Sequence, residues 1–203
     1  MTGHIDLAIA SDFDLNNSTS GGTISWAEAP SDPTQSQDWT LHKIDAIPTT
    51  HRLRWADIDG DGKQELIALP IAGMGSSPPT YSGTVQMKVY TIPAAPKDAQ
   101  ATWKSQILDD THLEVAHGLR LVDWDGDKAA DLLTDGIDLF RPSLNKGAEH
   151  LWAGAPGQAP TRGSSDVVLG NLAGMRFLAT IDPWHGTDAV IYTPGAQPSA
   201  LWT

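Results

Sequence analysis

A chain that repeats itself at a fixed offset is tightly constrained, because equivalent segments take equivalent structures and stack on one another. Here the segment HRLRWADIDGDGKQELIAL opens at His51 and returns at His117 as HGLRLVDWDGDKAADLLT, sixty-six positions on. In that register His51 matches His117, Leu53 matches Leu119 and Arg54 matches Arg120. Asp57, Asp59 and Asp61 match Asp123, Asp125 and Asp127, and Glu65-Leu66 matches Asp131-Leu132. Weaker copies flank these two. Asp6-Leu7-Ala8-Ile9 resembles the Glu65-Leu66-Ile67-Ala68 half of the unit, and 166–180 keeps its apolar pattern without the carboxylates. Glycine-opened runs recur at Gly22, Gly83, Gly136 and Gly186, and tryptophans recur at 39, 103, 152 and 202.

Each unit reads as four short strands rich in Val, Ile, Thr, Trp and Tyr, bounded by Gly, Pro and Asp. In the second unit these are 50–57, 64–70, 84–92 and 101–108, and no stretch keeps a helical period. The expected fold is therefore all-β: β-propeller blades of four antiparallel strands, in units 1–46, 47–110, 111–155 and 156–203. A stacked sandwich is the competing all-β arrangement, and sandwiches seldom carry such a repeat. The first unit lacks its opening strand and the last stops where its fourth begins, leaving about 3.7 blades where a closed ring needs roughly four to eight. The chain is expected to be a piece of a longer protein that supplies the missing blades, or to close by association, most simply as a homodimer. Trp39, Trp103, Trp152 and Trp202 fall on outer strands as packing between blades.

Thirteen Lys and Arg stand against 25 Asp and Glu, a net charge of −12 with no basic cluster. That balance argues against nucleic-acid or anionic-membrane partners. There are no cysteines, which excludes disulfides, thiolate zinc sites and a cysteine nucleophile. No apolar run is long enough to span a bilayer, and 1–15 shows no secretion-signal pattern. Location stays open, although calcium loops favour an extracytoplasmic site.

The series Asp57-x-Asp59-x-Asp61-Gly62-x-x-Glu65 sets acids at positions 1, 3, 5 and 9 of a tight loop, with the Lys63 backbone carbonyl at position 7. A calcium ion takes six to eight oxygens, and this spacing supplies them. An EF-hand would need a glutamate at position 12, where Ala68 stands, and flanking helices. A calcium-holding strand turn is expected instead, with a structural role; a solvated Asp-Gly hairpin is the bland alternative. The second loop offers Asp123, Asp125, Asp127 and Asp131, but Lys128 replaces Gly62. A left-handed backbone there would disfavour lysine, and its ammonium could stand in part for the ion.

The same register sorts the seven histidines. His51 and His117 precede the loops by a strand's length, so they lie on the opposite face of the disc, and His185 returns to that face after a second strand. Three histidines from three blades thus converge at one mouth of the channel. They would serve as ligands of a zinc ion with an open fourth position, or as proton-transfer groups with Arg54 and Arg120 nearby. Capping of strand ends by equivalent histidines is the structural alternative. Glu114 is a further candidate, Trp55 and Trp184 could stack on a sugar ring, and His4, His42, His112 and His150 are read as surface residues.

The aspartate loops resemble the calcium-binding repeats of FG-GAP/VCBS propellers, including integrin-type blades. More specifically, the ordered series resembles the propeller of the aldos-2-ulose dehydratase family. That series is Gly22 to Trp26, Trp39-Thr40, His51-Arg52-Leu53, His112-Leu113, Arg162-Gly163, and His185-Gly186 before Val190-Ile191-Tyr192-Thr193. The resemblance implies a seven-bladed propeller followed by cupin domains, and a carbon–oxygen lyase that dehydrates 1,5-anhydro-D-fructose; this chain shows neither a cupin region nor about three of the blades. Two functions are therefore expected to compete. One is a lyase acting on a keto-sugar through His51, His117 and His185; the other is a non-catalytic calcium propeller that binds a glycan or protein through loops such as 73–82.

Overall fold

Period-two alternation shapes the whole molecule, because a strand covered on both faces can be apolar throughout. The computed structural model describes residues 6–34, 39–79, 81–98, 100–113, 115–151, 164–182, 185–197 and 200–203. Four antiparallel sheets follow one another along the chain. The first holds β1 (Leu7–Ser11), β2 (Thr23–Glu28) and β3 (Thr40–Ala46). The second holds β4 (Thr50–Ala56), β5 (Glu65–Pro70), β6 (Met87–Thr91) and β7 (Lys104–Asp109). In the third are β8 (Leu119–Val122), β9 (Asp131–Thr134), β10 (Asp138–Arg141) and β11 (Lys146–His150), and in the fourth β12 (Val167–Leu172), β13 (Met175–Asp182) and β14 (Asp188–Tyr192). One 3₁₀ turn, Pro142–Leu144, is the only helical element among the described residues.

Within each sheet the strands pair in chain order as a meander. The first strand of each sheet lies against that of the next, β1 on β4, β4 on β8 and β8 on β12. Those four strands form the inner edge of a fan of blades, so the chain is a partial β-propeller. Third and fourth strands of the second blade begin later than their composition suggests, for local reasons. Val85 spends its N–H on the Leu113 carbonyl, and Ala101 closes a turn onto Asp98.

Three apolar layers fill the gaps between blades. Ile67, Leu69, Met87 and Val89 of the second blade meet Leu119, Leu132 and Phe140 of the third. The alternate residues Leu66, Ala68 and Tyr90 turn the other way, onto Ile24 and Ile47 of the first. Leu133, Ile137 and Leu139 do the same from the third blade onto Val167, Leu178 and Tyr192 of the fourth, with Trp202 closing the layer. Each such leucine or isoleucine contributes about 1.5–3 kcal/mol on burial. Thr193 and Thr203 exchange two backbone bonds of 2.8 and 3.0 Å, so a fourth strand begins beside β14.

The two inner-strand turns are alike in backbone but not in sequence. Gly60 and Gly62 take φ of 79° and 82°, while Gly126 and Lys128 take 86° and 72°. Lys128 thus holds a left-handed conformation that glycine adopts freely. Its ammonium makes no ion pair among the described residues, so the expected stand-in for an ion is not found at that lysine; it is Lys63, in the other loop, that reaches Asp61 at 2.6 Å.

Two outcomes are expected from this architecture. Lys128→Gly relieves a left-handed lysine and should raise unfolding stability by about 1 kcal/mol, read by urea denaturation. The outer face of the fourth sheet carries Val168, Leu172, Met175, Ile181 and Ile191, with Leu172 67% and Ile191 55% exposed. The chain should therefore self-associate through that face. Light scattering after gel filtration should give a mass above 21.7 kDa for the chain and near it for Ile191→Lys; equal masses would rule this face out.

Candidate functional site

A bulge starts the site. In the β4–β5 ladder Thr50 pairs with Pro70 and Arg52 with Leu69, so His51 is the extra residue, turned out of the ladder. Its ring lies against His117, centroids 4.6 Å apart, and against Phe13 at 5.6 Å. His117 in turn meets His185 edge-on at 5.2 Å. The three histidines from three blades form a row with His117 in the middle, at the end of β4 and β8 opposite the aspartate turns.

Two residues that sequence reasoning did not single out hold the row. The backbone N–H of His117 donates to Asp135 Oδ2 at 2.7 Å. Ser165 binds both neighbours: its carbonyl takes the His117 Nδ1–H, and its hydroxyl accepts the N–H of His185 at 2.7 Å. With Nδ1 donating to Ser165, the ring's lone pair is on Nε2. The Arg52 guanidinium, 3.4 Å from the same Nδ1, therefore acts as a positive neighbour, not as a second donor to it. A sequence signal existed for Asp135, a carboxylate directly after the buried run Leu132-Leu133-Thr134; none marked Ser165.

Electrostatics keep His51 and His117 neutral. Burial, with Arg52 and then His117 adding repulsion, depresses the His51 imidazole to about 4. His117 is lowered by the same burial and by Arg52, against an opposing pull from the Ser165 carbonyl. Asp135 is fully buried and pushed up to about 7 by desolvation, and its Oδ1 has no partner among the described residues. At neutral pH His51 and His117 are thus unprotonated bases.

The aspartate turns form the other end of the inner strands. Carboxylate oxygens of Asp57, Asp59 and Asp61 gather within 4.8 Å of one another, and so do those of Asp123, Asp125 and Asp127. Loop amides help to hold them, with Gly62 N–H on Asp57 at 2.9 Å and Gly126 N–H on Asp123 at 2.7 Å. Behind them Glu65 accepts from Ile58 N–H at 3.3 Å and Asp131 from Trp124 N–H at 2.8 Å. Burial, then the aspartates of its own loop, raises each of these two acids. The donor set fits calcium. Three histidine nitrogens gathered within the same 4.8 Å are not found among the described residues, so one zinc ion could reach all three rings only if they moved.

Other expected site residues fall elsewhere. Trp55 faces away from the histidines and packs on Trp103 between the first two blades, with ring centroids 6.1 Å apart, because it shares the β4 face of Leu53. His42 is half-buried instead of exposed, stacked on Trp26 at 4.4 Å and bonded to Glu28. His112 and His150 pair with Asp109 and Asp138 at half-exposed positions. Trp202 packs on Trp124. His4, Glu114, Trp152, Arg162, Gly163 and Trp184 lie outside the described residues.

The His51 shift has a signed consequence. An unfolded histidine takes its proton near pH 6.5 and native His51 near 4, so stability falls as the pH drops through that window. Asp135, raised in the native state, acts with the opposite sign between about 4 and 7. Melting curves from pH 8 to 4 should show His51→Gln losing less stability than the parent below pH 6.5; parallel curves would contradict the buried neutral ring.

Comparison with known proteins returns one family and one relative. The family model described as "Aldos-2-ulose dehydratase, beta-propeller domain" matches residues 21–194. Aldos-2-ulose dehydratase of Phanerodontia chrysosporium is 24% identical over 200 residues, covering 90% of this chain. The chain spans only 21% of that protein's length. No solved structure matches. A fan of three- and four-stranded meanders, a repeat carrying histidine at one end of the inner strand and aspartates at the other, and a family match across most of the chain agree: this chain belongs to the aldos-2-ulose dehydratase β-propeller domain family.

Proposed function

We propose that this propeller is the calcium-stabilised catalytic domain of a carbon–oxygen lyase that dehydrates 1,5-anhydro-D-fructose or a related keto-sugar. The observation that carries the reading is the imidazole row, built by residues from three blades and held by Asp135 and Ser165, with His51 and His117 neutral. Dehydration beside a carbonyl breaks an acidic C–H bond, passes through an enolate and expels the β-hydroxyl as water. His117, with its lone pair on Nε2, suits removal of the proton. A neighbouring imidazole, once protonated, suits its delivery to the leaving hydroxyl. Calcium on Asp57, Asp59, Asp61 and the Lys63 carbonyl with Glu65, and on Asp123, Asp125 and Asp127 with Asp131, would brace the inner-strand turns and leave the chemistry to the other face.

One observation favours the second reading, a non-catalytic FG-GAP/VCBS-type propeller that binds a glycan or protein. An open cleft of ≈ 410 Å³ lies beside the 73–82 loop, walled by Pro48, Pro70, Met74, Gly83 and Asp110.

The two are separated by incubating the chain with 1,5-anhydro-D-fructose and following the unsaturated product by ultraviolet absorbance. Under the lyase reading His117→Gln lowers turnover by about 10²–10⁴-fold at unchanged melting temperature, and EGTA lowers that temperature in both proteins alike. Sugar binding without product in the parent chain would favour the binding module.

A further inference from the structure

Three arginines crowd the inner wall beside the histidine row. Arg52 and Arg54 rise from β4 and Arg120 from the adjacent β8. Burial, then repulsion from Arg52 and Arg120, lowers the Arg54 guanidinium from its ordinary range, against a weaker opposing pull from the Asp166 carboxylate that Arg120 already holds. Arg120 is satisfied: Nη2 donates to Asp166 Oδ2 at 2.7 Å and Nε to the Val167 carbonyl at 3.1 Å. Arg54 is its repeat equivalent, yet it pairs with no carboxylate among the described residues. Its hydrogen bond is to the carbonyl of its own neighbour, Leu53, at 2.9 Å.

The repeat explains the difference. Asp166 directly precedes Val167, the buried residue that pairs with Thr180 at the start of β12. The residue in that place before Leu119, which is buried and pairs with Thr134, is Gly118. No side chain fits there without displacement, since a Cβ on Gly118 would stand 3.0 Å from the Asp135 Cβ and 3.1 Å from the Asp166 Cα. The blade beside Arg120 therefore supplies a carboxylate, and the blade beside Arg54 supplies only a hydrogen atom. A half-buried guanidinium among like charges is unfavourable until an anion completes it. In a chain of net charge −12 this cationic wall is a local construction, not a spill-over of the whole.

We propose that Arg54, flanked by Arg52 and Arg120, binds an oxyanion group of the ligand, so that the sugar recognised at this wall is an acidic one bearing a carboxylate or a phosphate. This rests on the carbohydrate reading above and narrows it to a related keto-sugar that carries an anionic group, in place of the neutral 1,5-anhydro-D-fructose. A planar guanidinium fork matches either oxyanion in bidentate fashion. Arg52 also stands 3.4 Å from His117 Nδ1, which puts such an anion next to the imidazole row.

Calorimetric titration of the purified chain at fixed ionic strength with D-glucuronate, D-glucose 6-phosphate and D-glucose tests this. At least one of the two anionic sugars should bind at least tenfold more tightly than glucose, and the one that binds identifies carboxylate or phosphate as the group. Arg54→Gln should weaken that binding tenfold or more. Lys104→Gln, which removes an equal charge from an exposed position on β7, should not. Arg52→Gln serves as the second variant if Arg54→Gln fails to fold. No preference for an anionic sugar, or an equal loss in Lys104→Gln, would overturn the proposal. Binding is read without turnover, so the two readings fail separately. Acidic-sugar binding without dehydration sinks only the lyase, and dehydration of a neutral keto-sugar with no anion binding sinks only the arginine site.

Discussion

Burial of β5 and β9 on both faces holds this molecule together. Every residue of these strands is buried, and successive side chains feed different interblade layers. Leu66 goes to the first blade and Ile67 to the third; Leu132 goes to the second and Leu133 to the fourth. A single blade could bury one face at most, so no blade is stable without its neighbours. The fourth sheet shows the contrast. Its inward face, with Val167, Leu178 and Tyr192, is closed, while Val168, Ile181 and Ile191 on the alternate face are open.

The same stacking places the chemistry. Each inner strand is a short rod between two blades, so whatever begins it and whatever ends it appear on opposite faces of the disc. His51 and the first aspartate turn are the two ends of β4, and His117 and the second turn bracket β8. Side-by-side contact of the inner strands then brings histidines from separate blades into van der Waals reach. Acid loops are thereby kept from the imidazoles, and a cation-lined wall coexists with a strongly acidic chain.

The inner wall also departs from local rules where ordinary folding would not require it. His51 sits in a bulge, His185 takes a left-handed φ of 55°, and Asp135 is buried with one oxygen unpartnered among the described residues. Such departures cost stability and persist only where the surroundings over-determine them. Here they cluster within one row of side chains, whereas the paired strands around them are regular.

Much was legible in advance because the repeat lies in the covalent order. Strand number, the two aspartate turns and the equivalence of His51 with His117 follow from residue types at fixed offsets. Trp55 shows the limit: its composition suited a sugar platform, but strand parity turned it with Leu53 toward the first blade. Lys128 shows another, since its backbone follows the glycine turn while its ammonium forms no ion pair with the acids among the described residues. By itself the sequence determined the β-rich blades, their order, and which end of each inner strand carries acid or histidine, because these depend on period and spacing along one chain. Only the tertiary structure decided that Ser165 and Asp135 hold His117, that the three rings form a row, and that Arg54 meets a glycine where Arg120 meets a carboxylate. Those contacts join residues from different blades, and blade packing, not chain spacing, sets the distances between them.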